Sequence, residues 1–173
     1  KDACLAMVYI VRKHLDKPNS YARVLFIVFS SPFNTLLSSL LEKKLCELGL
    51  DKFLISLIMS FLSSRKQHVR VGDHKSDILD SNTGCPQGCV LSPLLFSIYT
   101  DAVRSRNSNI QIFKYADDTA IVGLMNHLEP ENFYFDAVSE CVSWCEMNNL
   151  ILNTSKTKEM VFDFSRSQNV TSS

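Results

Sequence analysis

Two adjacent carboxylates, Asp117 and Asp118, stand between the short apolar runs Ile110–Tyr115 and Thr119–Leu124. A strand sends neighbouring side chains to opposite faces, but a turn at Ala116-Asp117-Asp118 lets both carboxylates project from the end of a sheet. Such a pair repels itself when uncompensated, and its hard oxygens suit a divalent cation such as Mg²⁺. The same residues suit a plain hairpin turn, where Asp is favoured for its own sake. The tetrapeptide Tyr115-Ala116-Asp117-Asp118 alone leaves both readings open.

A second candidate is Gly84-Cys85-Pro86-Gln87-Gly88. Glycine carries no Cβ, so a ligand can approach this backbone closely. A Gly/Pro turn ahead of a helix accounts for the same residues, and both roles can hold. The six cysteines, at positions 4, 46, 85, 89, 141 and 145, are the other possible ligands. Neither Cys85-x3-Cys89 nor Cys141-x3-Cys145 has zinc-knuckle spacing, and no His pair completes either. Buried, reduced thiols are expected instead, with no zinc and an intracellular setting, cytoplasm or nucleus.

The elements that must position these residues alternate along the chain. Val24–Phe29 is a continuous β-favouring run, the pattern of a strand buried on both faces. Leu37, Leu41, Leu45 and Leu48 recur at helical steps, and Gly49 ends them. Asp51 caps a second helix with Leu54, Leu57, Ile58 and Phe61 on one face. Gln67–Val71 and Asp77–Ser81 flank a Gly72-Asp73 turn as a hairpin. Ser92-Pro93 supplies a cap and a first-turn proline for a helix to Ser105 that buries Leu95, Phe96 and Tyr99. Pro130–Asn149 reads as a helix burying Phe133, Ala137, Cys141, Trp144 and Cys145. Lys158–Phe164 reads as the last strand, and residues 165–173 as a frayed tail. The order β–α–(insert)–β–β–α–β predicts an α+β, ferredoxin-like (split βαβ) fold, its antiparallel sheet covered by helices on one face. The insert, from about Leu50 to Asn107, is too long for a loop.

At 173 residues, with 46% hydrophobic and 21% charged side chains, the chain has the makeup of one globular domain, neither disordered nor fibrous. No apolar run approaches a membrane span, and the opening residues, with no basic n-region and apolar h-region, give the expectation of no signal peptide. The formal net charge is zero. Residues 1–75 hold twelve basic and six acidic side chains, and residues 76–173 the reverse. Arg12, Lys13, Arg65, Lys66 and Arg70 could offer phosphates a basic surface, or could simply be solvated. A small RNA-binding module of the same fold would need an aromatic pair in an RNP-type context, which is absent.

Read together, the motifs carry more. Phe29-Ser30-Ser31-Pro32-Phe33-Asn34-Thr35, then Thr83–Pro93, then Tyr115-Ala116-Asp117-Asp118, then Leu150-Ile151-Leu152-Asn153 with Lys156-Thr157-Lys158-Glu159 follow in order. This set closely resembles the reverse transcriptase domain of non-LTR (long interspersed element type) retrotransposons over nearly the whole chain. The resemblance implies a polymerase palm with a helical and hairpin insert from the fingers, spanning residues 1–164. It implies two Mg²⁺ ions, an RNA or DNA template-primer and deoxynucleoside triphosphates, with no membrane. By resemblance Asp117 and Asp118 are metal ligands, and Tyr115 and Ala116 hold the turn against the primer end. Gly84, Pro86, Gln87 and Gly88 approach template and nucleotide, Phe33 packs under the nucleotide sugar, and Lys156 acts near the leaving pyrophosphate.

One position departs. The family's first palm strand ends in an Asp that bridges both metals; here that position is Val28, and Pro32 stands where the family has Ala. Valine cannot bind a hard cation. Loss of one fixed electrostatic contact costs ~10²–10³ in rate, and a bridging ligand should cost more. The chain begins at Lys1 and has little room for a complete fingers portion or a thumb. The expectation is a truncated, degenerate reverse transcriptase, or a relic that at most binds nucleic acid or protein.

Overall fold

The computed structural model describes residues 2–101, 104–105 and 107–164. They fold as two compact units, one drawn from the described residues of 1–28, 103–143 and 152–173, the other from 29–102 and 144–151. The chain is a mixed α/β protein with an antiparallel sheet. The proposed frayed tail, 165–173, lies outside the described residues.

The first unit is built on a four-stranded sheet. Its strands are β1 (Ser20–Ile27), β6 (Ile110–Tyr115), β7 (Asp118–Asn126) and β8 (Lys158–Asp163), in the order β6-β7-β1-β8, every pair antiparallel. β1 is central and rich in β-branched and aromatic residues, which fit a pleated surface packed on both sides. Strand alternation gives it two faces. Ala22, Val24 and Phe26, with Ala120 and Val122 opposite, pack beneath Met7, Val11 and Leu15 of helix α1 (Asp2–Leu15). The sequence reading assigned no element to residues 2–15. The other face meets helix α6 (Asn132–Met147): a Cβ on Gly123 would lie 2.5 Å from the Tyr134 ring, so glycine admits that fully buried side chain. Helices therefore cover both faces of this sheet, not one as expected. α1 supplies the second layer.

Arg23 binds the sheet to α6. Its guanidinium reaches Glu131 at 2.6 Å and Glu159 at 3.0 Å, lying over the Tyr134 and Phe135 rings. Tyr134 donates to Glu159 at 2.6 Å, and Tyr21 donates to Glu131.

The second unit holds α2 (Pro32–Thr35), α3 (Ser38–Glu47), α4 (Lys52–Leu62), the paired strands β2 (Arg65–Gln67) with β5 (Leu79–Ser81) and β3 (Arg70–Val71) with β4 (His74–Lys75), and α5 (Leu91–Thr100). Asp51 caps α4 as expected, accepting from Phe53 N–H at 2.8 Å. The buried face of α4 is Ile55, Ile58 and Leu62, while Leu54, Leu57 and Phe61 are exposed. The expected stripe missed by one residue because α4 is apolar nearly all round. Helix α5 starts at Leu91, ahead of the expected Ser92-Pro93 boundary, and ends at Thr100. Ser92 is no cap: its hydroxyl donates to the Pro86 carbonyl at 2.5 Å. Leu95, Phe96 and Tyr99 are buried as expected. Of the residues expected to continue this helix, Ala102 and Val103 lie outside the described set, and Arg104 and Ser105 are not helical.

Candidate functional site

In the first unit the β6–β7 ladder closes at Tyr115↔Asp118, leaving Ala116 and Asp117 as a two-residue turn. Such hairpin turns need positive φ at a central position, which glycine or asparagine usually supplies. Here Ala116 takes it, at φ 53°. An L-residue there costs about 1–2 kcal/mol. Tyr115 is 66% exposed, Asp118 is exposed and Asp117 half-buried. The carboxylates sit at the turn, as the sequence implied.

The β1–β7 register ends with Ile27↔Thr119, so its next step sets Val28 opposite Asp118. Val28 continues the Ala22-Val24-Phe26 alternation onto the face under α1. Val28 and Asp118 line one cavity of about 410 Å³ whose other walls include Met7, Phe26, Phe113 and Ala120. Two residues given no separate role in the sequence reading hold the Val28 backbone. Its carbonyl accepts from Asn153 N–H at 2.7 Å, and its N–H donates to Thr157 Oγ1 at 3.3 Å. Asn153 also closes the turn: its carbonyl accepts from Thr157 N–H at 2.8 Å, and its Oδ1 from Lys156 N–H at 3.1 Å. Lys156, with its side chain exposed, thus rides on the turn that grips residue 28. The Asn-x-x-Lys-Thr spacing was the available signal.

This donor set supplies two carboxylates and one isopropyl group. Among the described residues no group of three His, Cys, Asp or Glu side chains is placed to hold a metal ion. A pair of Mg²⁺ ions, each wanting near-octahedral oxygen ligation, does not fit Asp117, Asp118 and Val28.

In the second unit, the Gly84–Gly88 loop packs against α2. Gly84 has φ +74°, and a Cβ there would lie 2.3 Å from the Phe33 carbonyl oxygen. Gly84 N–H donates to Leu36 O at 2.7 Å, and Cys85 N–H to Phe33 O at 2.6 Å. The close approach that requires this glycine is to the protein's own Phe33–Asn34 backbone. Gly88, at φ +80°, has open space where a Cβ would lie. The Phe33 ring is half-buried, with its centroid 5.3 Å from that of Phe96. Gln87 and Asn34 are exposed, their amides 3.5 Å apart, beside a polar cavity of about 590 Å³ that Arg65, Gln67, Ser81 and Thr83 also line.

The thiols divide by environment. Cys85, Cys141 and Cys145 are buried, Cys89 is partly exposed, and Cys4 and Cys46 are exposed, against the expectation of burial. Cys89 Sγ lies 2.9 Å from the Ser92 hydroxyl, a contact that lowers its pKa, whereas burial raises that of Cys85.

The first unit thus carries a paired-carboxylate hairpin beside a buried antiparallel strand, and the second a Gly-Pro loop braced on a Phe-Asn turn. The family described as reverse transcriptase (RNA-dependent DNA polymerase) matches residues 2–171, and the chain belongs to that family. It is 31% identical over 117 residues to the RNA-directed DNA polymerase from mobile element jockey of Drosophila melanogaster, across 61% of this chain and 12% of that protein. The corresponding protein of Drosophila funebris is 30% identical over 120 residues, 63% of this chain and 13% of that one. Jockey is a non-LTR element, in keeping with the resemblance in the sequence. The chain spans roughly an eighth of the length of these relatives. Its fold resembles a telomerase from Candida tropicalis in complex with a TWJ fragment of telomeric RNA, with TM-score 0.71 and 14% identity, over 96% of this chain and 30% of that one. A telomerase from Candida albicans gives TM-score 0.64 at 14% identity, over 92% and 31%. No described helix is long and apolar enough to cross a membrane.

Proposed function

We propose that the sheet unit is the ferredoxin-like palm of an RNA-directed DNA polymerase, and that this copy engages a template-primer without extending it. The single observation behind the second half is the register that sets Val28 opposite Asp118. In this reading Asp117 and Asp118 are the two remaining metal-ligand positions, and Val28 fills the third. Tyr115 and the strained Ala116 hold the hairpin tip toward a primer end. Lys156, carried by the turn that fixes residue 28, takes the position that in an extending enzyme of the family lies near the leaving pyrophosphate. Gln87 and Gly88 meet template and nucleotide, while Gly84 and Pro86 give their loop its shape. Phe33 supports the same loop, with its ring toward the nucleotide sugar. The strand order supports the palm assignment, because the fourth palm strand, β8, lies beside the first, β1, as in a split βαβ sheet.

The test is primer extension by the purified chain on an RNA template with Mg²⁺ or Mn²⁺, run beside binding of the same template-primer. Binding without incorporation above background is expected. Template-directed incorporation by the unmodified chain would overturn the assignment of Val28.

A further inference from the structure

Arg65 looks in the sequence like one of several surface cations open to phosphate. Its surroundings differ. Nε donates to the Leu62 carbonyl at 3.2 Å, and Nη2 donates to the carbonyls of Thr83 and Gly84, the latter at 2.9 Å, and reaches Ser81 Oγ at 3.5 Å. The side chain is half-buried. Each of these acceptors is neutral, and two sit where the chain enters the Gly84–Gly88 loop. From the opposite side the loop is tied by Gly84 N–H to Leu36 O and Cys85 N–H to Phe33 O, at a glycine with no space for a Cβ. A third tie, from the Ser92 hydroxyl to Pro86 O, closes its far end.

We infer that Arg65 is a positioning residue: its planar fork fixes the entry to the Pro86-Gln87-Gly88 segment, so that Gln87 meets a nucleic-acid strand in one orientation. The inference rests on the template-primer reading above, and it assigns Arg65 no contact with that strand. An ammonium cannot take its place. Lysine offers a compact point charge, whereas the planar guanidinium fork reaches acceptors from Leu62 to Gly84 through two of its nitrogens.

The two roles open to Arg65 differ in their salt dependence. A phosphate contact releases a counterion, so its removal lowers the slope of log affinity against log salt by about one. Removal of a positioning residue weakens binding and leaves the slope alone. The experiment uses a labelled DNA primer annealed to a longer RNA template, with anisotropy read across a salt series well below the unfolding temperature. Exchange of the Gly84 and Cys85 amides is followed in the same samples. Arg65→Met, which removes the charge and keeps the apolar stem, is expected to weaken binding about tenfold with the slope unchanged, and to speed exchange of both amides. Should the methionine variant not fold, Arg65→Lys, which keeps the charge and loses the fork, carries the affinity and exchange arms. A slope reduced by about one makes Arg65 a phosphate contact and overturns the inference, as does unchanged affinity. If the unmodified chain binds no template-primer, the functional reading falls. The inference then stands or falls on the two amides, with unchanged exchange overturning it.

Discussion

Val28 stands opposite Asp118, one step beyond the Ile27↔Thr119 pair that ends the β1–β7 ladder. The strand pairing is continuous up to that step, and the Val28 backbone is held on its far side by Asn153 and Thr157. The backbone at residue 28 is thus fixed from both sides, and a carboxylate placed there would stand opposite Asp118. The Val28 side chain itself forms part of an apolar wall with Phe26 and Met7.

Under the proposed reading, introducing a carboxylate at residue 28 should add a metal ligand without refolding the site. Val28→Asp is expected to bind Mg²⁺ at least tenfold more tightly than the unmodified chain, because a third hard oxygen enters the shell. Backbone shifts of Asp117 and Asp118 in a metal titration report it directly. Equal affinities would remove residue 28 from the ligand set.

Much of this geometry was legible in the sequence, and the misses share causes. The runs at 110–115 and 119–124 are short, β-rich and bounded by an acidic turn, so period and punctuation agree. Helix α1 was missed because Val8, Tyr9 and Ile10 blur the Met7, Val11, Leu15 spacing that faces the sheet. The buried face of α4 was misassigned for a similar reason, apolar residues all round. Arg65 and Gly84 carry no local sign of their partners. Those partners, from Phe33 to Thr83, are brought together only by the tertiary fold.

Gly84 and Gly88 should respond differently to alanine. Both have positive φ, which costs an L-residue about 1–2 kcal/mol. At Gly84 the added methyl also meets the Phe33 carbonyl, a fixed backbone group, and overpacking of this kind adds roughly 1–3 kcal/mol. Denaturant midpoints should fall clearly further for Gly84→Ala than for Gly88→Ala. Equal losses would mean that the Phe33 contact carries no weight.

Thiol reactivity offers a check on the second unit. Cys89 is partly exposed, and its contact with the Ser92 side chain lowers its pKa. Cys85, four residues earlier, is buried with its pKa raised. Iodoacetamide at neutral pH should modify Cys89 well before Cys85, since the thiolate is the nucleophile. Ser92→Ala should slow Cys89 while leaving the exposed Cys4 and Cys46 unchanged. Mass spectrometry of the alkylated peptides gives the order.

The Arg23 network makes stability depend on pH at both ends of the scale. Hydrogen bonds from Arg23, assisted by the Tyr134 hydroxyl, hold Glu159 below the usual carboxylate range despite partial burial. A depressed folded-state pKa gives stability that is present above the unfolded value, about 4.3, and lost as pH falls through the folded one. The side chain is 32% exposed, so screening keeps this contribution under about 1 kcal/mol. At the alkaline end, burial and the bond to Glu131 push Tyr21 up to about 12, and Tyr134 moves in the same direction through burial and Glu159. A raised folded-state pKa works in the opposite sense. Its stabilisation is intact below the unfolded value near 10 and disappears as pH climbs toward 12. Urea midpoints taken from pH 3 to 11.5 should therefore fall at both ends. Glu159→Gln should flatten the acid limb and leave the Tyr21 contribution to the alkaline limb in place. Tyr21→Phe should remove part of the alkaline limb alone. An acid limb unchanged in Glu159→Gln would show that Arg23 does not couple proton binding at Glu159 to the fold.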